Sequence, residues 1–188
     1  MAKKSRVAIL RTKPETVRED YHRLLNLANY QDHVDKTADT GLKMNISWHF
    51  FYPGSSTVPW QIDGVLNAME KDGYKKDLIH ACHNRTVVID AHLGERENKH
   101  IDVVNAHGIR NVHLYEGEDW IDIGDAVGDL TKKFLCLNEV YPKGFSIPKR
   151  FIGENIIHLP TIKTHIFTTT TGAMKNAFGG LLNEHRHW

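Results

Sequence analysis

Residues 156–188 read IIHLPTIKTHIFTTTTGAMKNAFGGLLNEHRHW and hold the densest set of chemically able side chains in the chain. The run Ile156-Ile157-His158-Leu159 has the β-branched content of a buried strand, and it stops at Pro160, which has no N–H to give a sheet ladder. A polar loop with Lys163, Thr164 and His165 follows, and then four threonines, Thr168 to Thr171. The next segment, Gly172 to Phe178, reads as a helix that Gly179 and Gly180 should end, since glycine accepts the left-handed conformation after a helix. The order is strand, loop, helix start. Free N–H groups at a helix start, beside hydroxyls and a lysine, suit a phosphate or carboxylate. No G-x-x-x-x-G-K-[ST] loop occurs anywhere in the chain.

The same shape recurs upstream. Residues 42–48 (LKMNISW) alternate Leu42, Met44, Ile46 and Trp48 with Lys43, Asn45 and Ser47, the period of a strand. The loop after it brings Ser55, Ser56 and Thr57 to a helix with Pro59 in its first turn, running to about Asp72 with Gly73 as its stop. Residues 6–10 (RVAIL) read as a first strand, followed by a helix from Pro14 to Leu27 with Val17, Tyr21, Leu24 and Leu25 at helical spacing. A third strand at 78–82 leads into the polar exit His80-Ala81-Cys82-His83-Asn84-Arg85, with a second apolar run at 87–89. A helix over 94–106 should turn Ile101, Val103, Val104 and Ala106 inward and close at Gly108, before a strand at 112–115. Trp120, Ile121 and Ile123 suggest a short strand, residues 134–140 (FLCLNEV) another, and 145–147 a last apolar piece before the basic turn Pro148-Lys149-Arg150.

Such alternation predicts an α/β fold, a mainly parallel sheet with helices on both faces in a Rossmann-like three-layer arrangement, as a single domain over 1–188. In such sheets ligands bind outside the carboxyl ends of the strands. Three polar loops would then meet at one edge: Ser55 to Thr57, His80 to Arg85, and Lys163 to Thr171.

A net charge of +1 argues against a generic nucleic-acid or anionic-membrane surface. Two cysteines, Cys82 and Cys136, give no disulfide framework, and the basic start MAKKSRVAIL is too short in apolar residues for a signal core or a span. A cytoplasmic protein is expected. The thirteen histidines raise the question of metal or proton chemistry.

The leading expectation is a small anionic ligand held by Lys163, Thr164, Thr170 and Thr171, with Lys175 one turn inside the same helix and on the face of Thr171. The competing reading is a solvated loop whose hydroxyls cap a helix. Asn176 could orient the ligand, and His165, with an unperturbed pKa of roughly 6.5, could move a proton, as could Lys175 if desolvated. His158, in an apolar strand, reads as a hydrogen-bonded core histidine. Lys43 and Asn45 share the polar side of their strand beside the expected crevice, and Ser55, Ser56 and Thr57 complete its rim. The alternative is a metal-handling or redox module using His80, Cys82, His83, His185 and His187, though His83 falls on the other face of a strand from His80 and Cys82. No sequence feature specifies a cofactor. A homo-oligomer or a redox partner protein fits either reading.

The run LPTIKTHIFTTTTGAMKNAFGG resembles the signature of the domain of unknown function 362 family: a strand ending in Pro, a Lys-Thr-His loop, a Thr-rich helix start and a Lys-Asn-x-x-Gly helix end. Lys163, Thr164, His165, Thr171, Lys175, Asn176 and Gly179 match it, and Leu42-Lys43-Met44-Asn45 resembles that family's Lys-x-Asn strand, with Pro59 in the following element. The loop His49-Phe50-Phe51-Tyr52 departs from the pattern, and no cysteine-rich ferredoxin-like segment, which some relatives carry, is present. The resemblance implies an α/β fold, with a more distant similarity to the nucleotide-handling lactate racemase family, but no reaction. It also implies a domain that continues past this helix, so the chain is expected to be incomplete at its C-terminal end.

Overall fold

The computed structural model describes residues 5–84, 89–124, 137–142 and 144–181. Its centre is β1 (Thr40–Met44), buried at all five positions. On one side β1 pairs in parallel with β2 (Ile79–His83), also buried throughout, and β2 pairs with β3 (Arg110–His113). On its other side β1 pairs in parallel with β6 (Asn155–Leu159), giving the order β3-β2-β1-β6.

Between β1 and β2 the chain forms α2 (Pro59–Lys71). Pro59 fits the first helical position, where its missing N–H would have no partner anyway. Ile62, Val65, Leu66 and Met69 recur at spacings of three and four, and all are fully buried. Each such burial stabilises by about 1.5–3 kcal/mol. Gly73, at φ +87°, takes the left-handed turn after the helix, as the sequence predicts. The α2 residues pack with Leu42, Met44, Ile79, Ala81 and Leu159 of the sheet, with Tyr21 and Leu25 of α1 (Val17–Leu27), and with Val104 of α4 (His100–His107). The opposite side of the sheet carries Lys43, His80, Cys82 and His158. There lies α6 (Ala173–Leu181), whose Asn176 Nδ2 donates to Lys43 O at 3.0 Å and sits 3.4 Å from His158 Nδ1. The fold is α/β, with a wholly parallel four-stranded sheet flanked by helices.

Smaller elements complete it. β4 (Trp120–Asp122) and β5 (Ser146–Pro148) form an antiparallel pair beside buried Ile123 and Phe145. β7 (Lys163–His165) and β8 (Thr169–Thr171) form another, and α3 (Ala91–Glu97) and a short α5 (Leu137–Val140) lie between β2 and β5.

Several expectations are corrected. Residues 6–10 form no strand, and Val7 and Ile9 are 83% and 89% exposed: β propensity creates no strand without a neighbouring ladder. The helix expected over 94–106 is two, α3 and α4, broken where Lys99 adopts φ 65° and Asn98 Nδ2 donates to Trp48 O and Gly94 O, and Ala106 is exposed. Residues 137–140 are helical rather than extended. The four threonines end in β8 rather than opening a helix, and α6 runs through Gly179 and Gly180 to Leu181. Most of the 87–89 run, Cys136, His185 and His187 lie outside the described residues. Among the described residues no helix is long and apolar enough to cross a membrane.

Candidate functional site

Strand order reverses between β1 and β6: β2 and β3 extend the sheet to one side of β1, and β6 returns to the other. The loops leaving β1 and β6 therefore diverge and leave a crevice at the carboxyl ends, the switch point where parallel sheets commonly place ligands.

Thr57 fixes the floor of that crevice. Its hydroxyl accepts from Asn45 N at 2.8 Å and donates to Leu159 O at 2.5 Å, while its own N–H donates to Asn45 O at 2.8 Å. One buried residue thus ties the exits of both strands. His100 Nε2 donates to Thr57 O at 2.6 Å from beneath. Ser56 Oγ accepts from Ser47 N, and Ser56 O accepts from Thr161 Oγ1. The hydroxyls of Ser56 and Thr57 are thereby committed to building the rim.

Above the floor lies a cavity of about 770 Å3. Of the residues singled out from sequence, Lys43, Asn45, Ser55, Lys163, Thr164, His165, Thr171, Lys175 and Asn176 line it together, whereas Ser56, Thr57 and Thr170 do not. Among the described residues its wall includes three lysines, two histidines (His83 and His165) and no Asp or Glu. Ile46, Trp48, Ile89, Ile166 and Phe167 give it an apolar portion. The Lys43 side chain, assigned by its alternation to a polar strand side, is 5% exposed, and its Nζ donates to Met44 O at 2.8 Å. The polar side of β1 faces the cavity rather than bulk water.

Burial and a neighbouring ammonium loosen the hold of Lys163 on its proton. Lys163 Nζ donates to Asn45 Oδ1 at 2.6 Å, and burial, with the nearby Lys175 ammonium second, lowers its pKa to about 8. His165 is shifted below its ordinary value by desolvation and then by Lys175 and Lys163, and its Nδ1 accepts from Phe167 N at 3.2 Å. His158 is likewise lowered, by burial and then by Lys43, and it sits half-buried beside Asn176. Neutral imidazoles among ammonium groups can accept protons near neutral pH.

The metal-ligand set expected from His80, Cys82 and His83 does not converge. His80 Nε2 meets Glu154 at 3.1 Å, and the thiol of Cys82, pushed up to about 12 by burial, is a poor source of thiolate. His83 points to the other face, where its Nε2 lies 3.3 Å from Glu95 Oε2. The residues that do gather there, Glu95, His113, His92 and Glu116, were missed, because strand register and helix phase assemble them rather than any local spacing.

Fold and site together define an α/β protein with a basic, half-apolar cavity at the switch point of its parallel sheet. The family described as Domain of unknown function (DUF362) matches residues 41–188, and the chain belongs to it. No curated protein and no solved structure matches the chain, so the wider likeness to the lactate racemase family stands outside these findings.

Proposed function

We propose that the cavity binds a small molecule bearing a phosphate or carboxylate, and that the protein acts on it as an enzyme. The supporting observation is the charge of the wall: Lys43, Lys163 and Lys175 line one cavity, and among the described residues no carboxylate lines it. Lys43 is buried and Lys163 and Lys175 are partly so; gathering their positive charge away from bulk water is costly, and an anion offsets the cost directly. Lys163, Lys175 and Thr171 hold the anionic group. Asn45 and Asn176 orient it, and the apolar wall near Ile46 and Phe167 takes the rest of the molecule. His165, its pKa depressed, carries the proton, with Lys175 as the second candidate for that role.

Isothermal titration with a panel of phosphorylated and carboxylated metabolites tests the reading. Lys163→Ala and Lys175→Ala should each weaken the tightest binder by roughly 10–100-fold, the worth of one hydrogen bond to a charged group. Unchanged affinity in both variants would sink it. With an anion identified, His165→Ala should lower turnover more than binding.

A further inference from the structure

We propose that His83, Glu95 and His113 form a three-ligand site for a divalent transition ion of the zinc class. The register of the sheet sets the two histidines side by side, His83 at the end of β2 and His113 at the end of β3, with ring centroids 5.2 Å apart. Helix α3 delivers Glu95 onto them. All three are buried, and one ligand atom from each lies within 4.8 Å of the others. Two imidazoles and a carboxylate are the donor set of zinc sites that keep a fourth position open.

The separations suit an ion better than a hydrogen-bonded cluster. Glu95 Oε2 is 3.3 Å from His83 Nε2 and 3.2 Å from His113 Nε2. Ligands about 2.0–2.2 Å from a tetrahedral ion stand about 3.3–3.6 Å apart, so the two contacts, at 3.3 and 3.2 Å, lie at or just under the length of a coordination edge. His113 makes a hydrogen bond at that distance, whereas among the described residues the buried His83 Nε2 makes none. A buried ring nitrogen without a hydrogen bond is rare, and a metal accounts for it. Asn111 Nδ2 donates to Glu95 Oε2 at 2.9 Å and fixes the carboxylate, as outer partners of metal ligands do.

His83 also lines the basic cavity. The assignment nevertheless stands on its own geometry and does not rest on the anion reading.

The test is a Co2+ titration of the whole chelator-treated protein, read by visible absorption, followed by displacement with Zn2+. One equivalent should give the intense bands of a low-coordinate site, and Zn2+ should bleach them. Glu95→Gln, which keeps an acceptor for Asn111, and His113→Ala should each weaken binding by about tenfold or more. His80→Ala, and the joint change of His185 and His187 to Ala, should leave it intact. Circular dichroism confirms folding, and Glu95→Gln decides the matter if His113→Ala fails to fold. No saturable Co2+ spectrum, an affinity unchanged by Glu95→Gln, or a spectrum lost only with His185 and His187 overturns the proposal.

Discussion

Lys163 Nζ donates to Asn45 Oδ1 across 2.6 Å, joining the hairpin that follows β6 to the loop that follows β1. The bond closes one wall of the cavity, and it holds an ammonium whose pKa is about 8. A lowered lysine loses its charge in the folded protein as pH passes about 8, while the unfolded chain stays protonated to its ordinary value of 10.5. The folded state is therefore penalised below pH 8 and gains stability as pH rises through that window. Anion binding should move the opposite way. Sulfate, whose charge is constant here, should bind roughly tenfold more weakly at pH 9 than at pH 7. Lys163→Met should bind weakly at both, and a pH-independent wild type would refute the assignment.

Thr57 carries the hydrogen bonds that tie β1 to β6 at their exits. Thr57→Val keeps the shape but leaves Leu159 O and Asn45 N without their partner. The expected loss is roughly 1–3 kcal/mol in urea unfolding, with Thr57→Ser recovering most of it. Equal stability of the Val and Ser variants would show that the hydroxyl carries no weight.

Gly64 lies where α2 meets α1. A Cβ there would stand 2.5 Å from Tyr21 Cδ2 and 3.1 Å from Arg18 O. Alanine gains up to about 1 kcal/mol in helix propensity, but forcing the helices apart costs about 1–3 kcal/mol. Gly64→Ala should therefore lower the melting temperature, and a rise would mean that α1 shifts freely.

Asp72 accepts from Tyr30 Oη at 2.7 Å, His22 Nε2 at 2.8 Å and Asn26 Nδ2 at 3.0 Å. Burial alone would raise its pKa, but these donors outweigh it and the value is lowered. Its contribution is complete above the ordinary 3.8 and is lost as pH falls through the depressed folded value. Asp72→Asn should cost stability at pH 7 and flatten the acid limb of the stability curve. Parallel acid limbs in mutant and wild type would contradict this.

What the sequence announces, it announces through local rules. Pro59 and Gly73 bracket α2, and Pro160 ends β6, because proline and glycine act on their own backbone. Tertiary effects are less visible. Alternation in 42–48 assigns Lys43 to a polar side, yet only the placement of α6 makes that side an enclosed wall. The four threonines are β-branched and suit a strand, and an expectation fixed on their hydroxyls passes over that. Asn98 breaks a periodic helix by reaching a loop 50 residues earlier. His83, Glu95 and His113 share no motif at all and meet through pairing.

The bond network that joins Thr40 to Asn155 spans 115 residues of chain. β6 is thus the last strand of the sheet to be synthesised, yet it belongs next to the first. During translation β1 must wait with one edge bare while α2, β2 and β3 gather on the other. Such a long closure slows folding and exposes a hydrophobic strand edge to other chains. The loop carrying Lys163 follows β6 directly, so the basic cavity requires the last strand to be in place, and a chain that has not completed its sheet has no such cavity to offer.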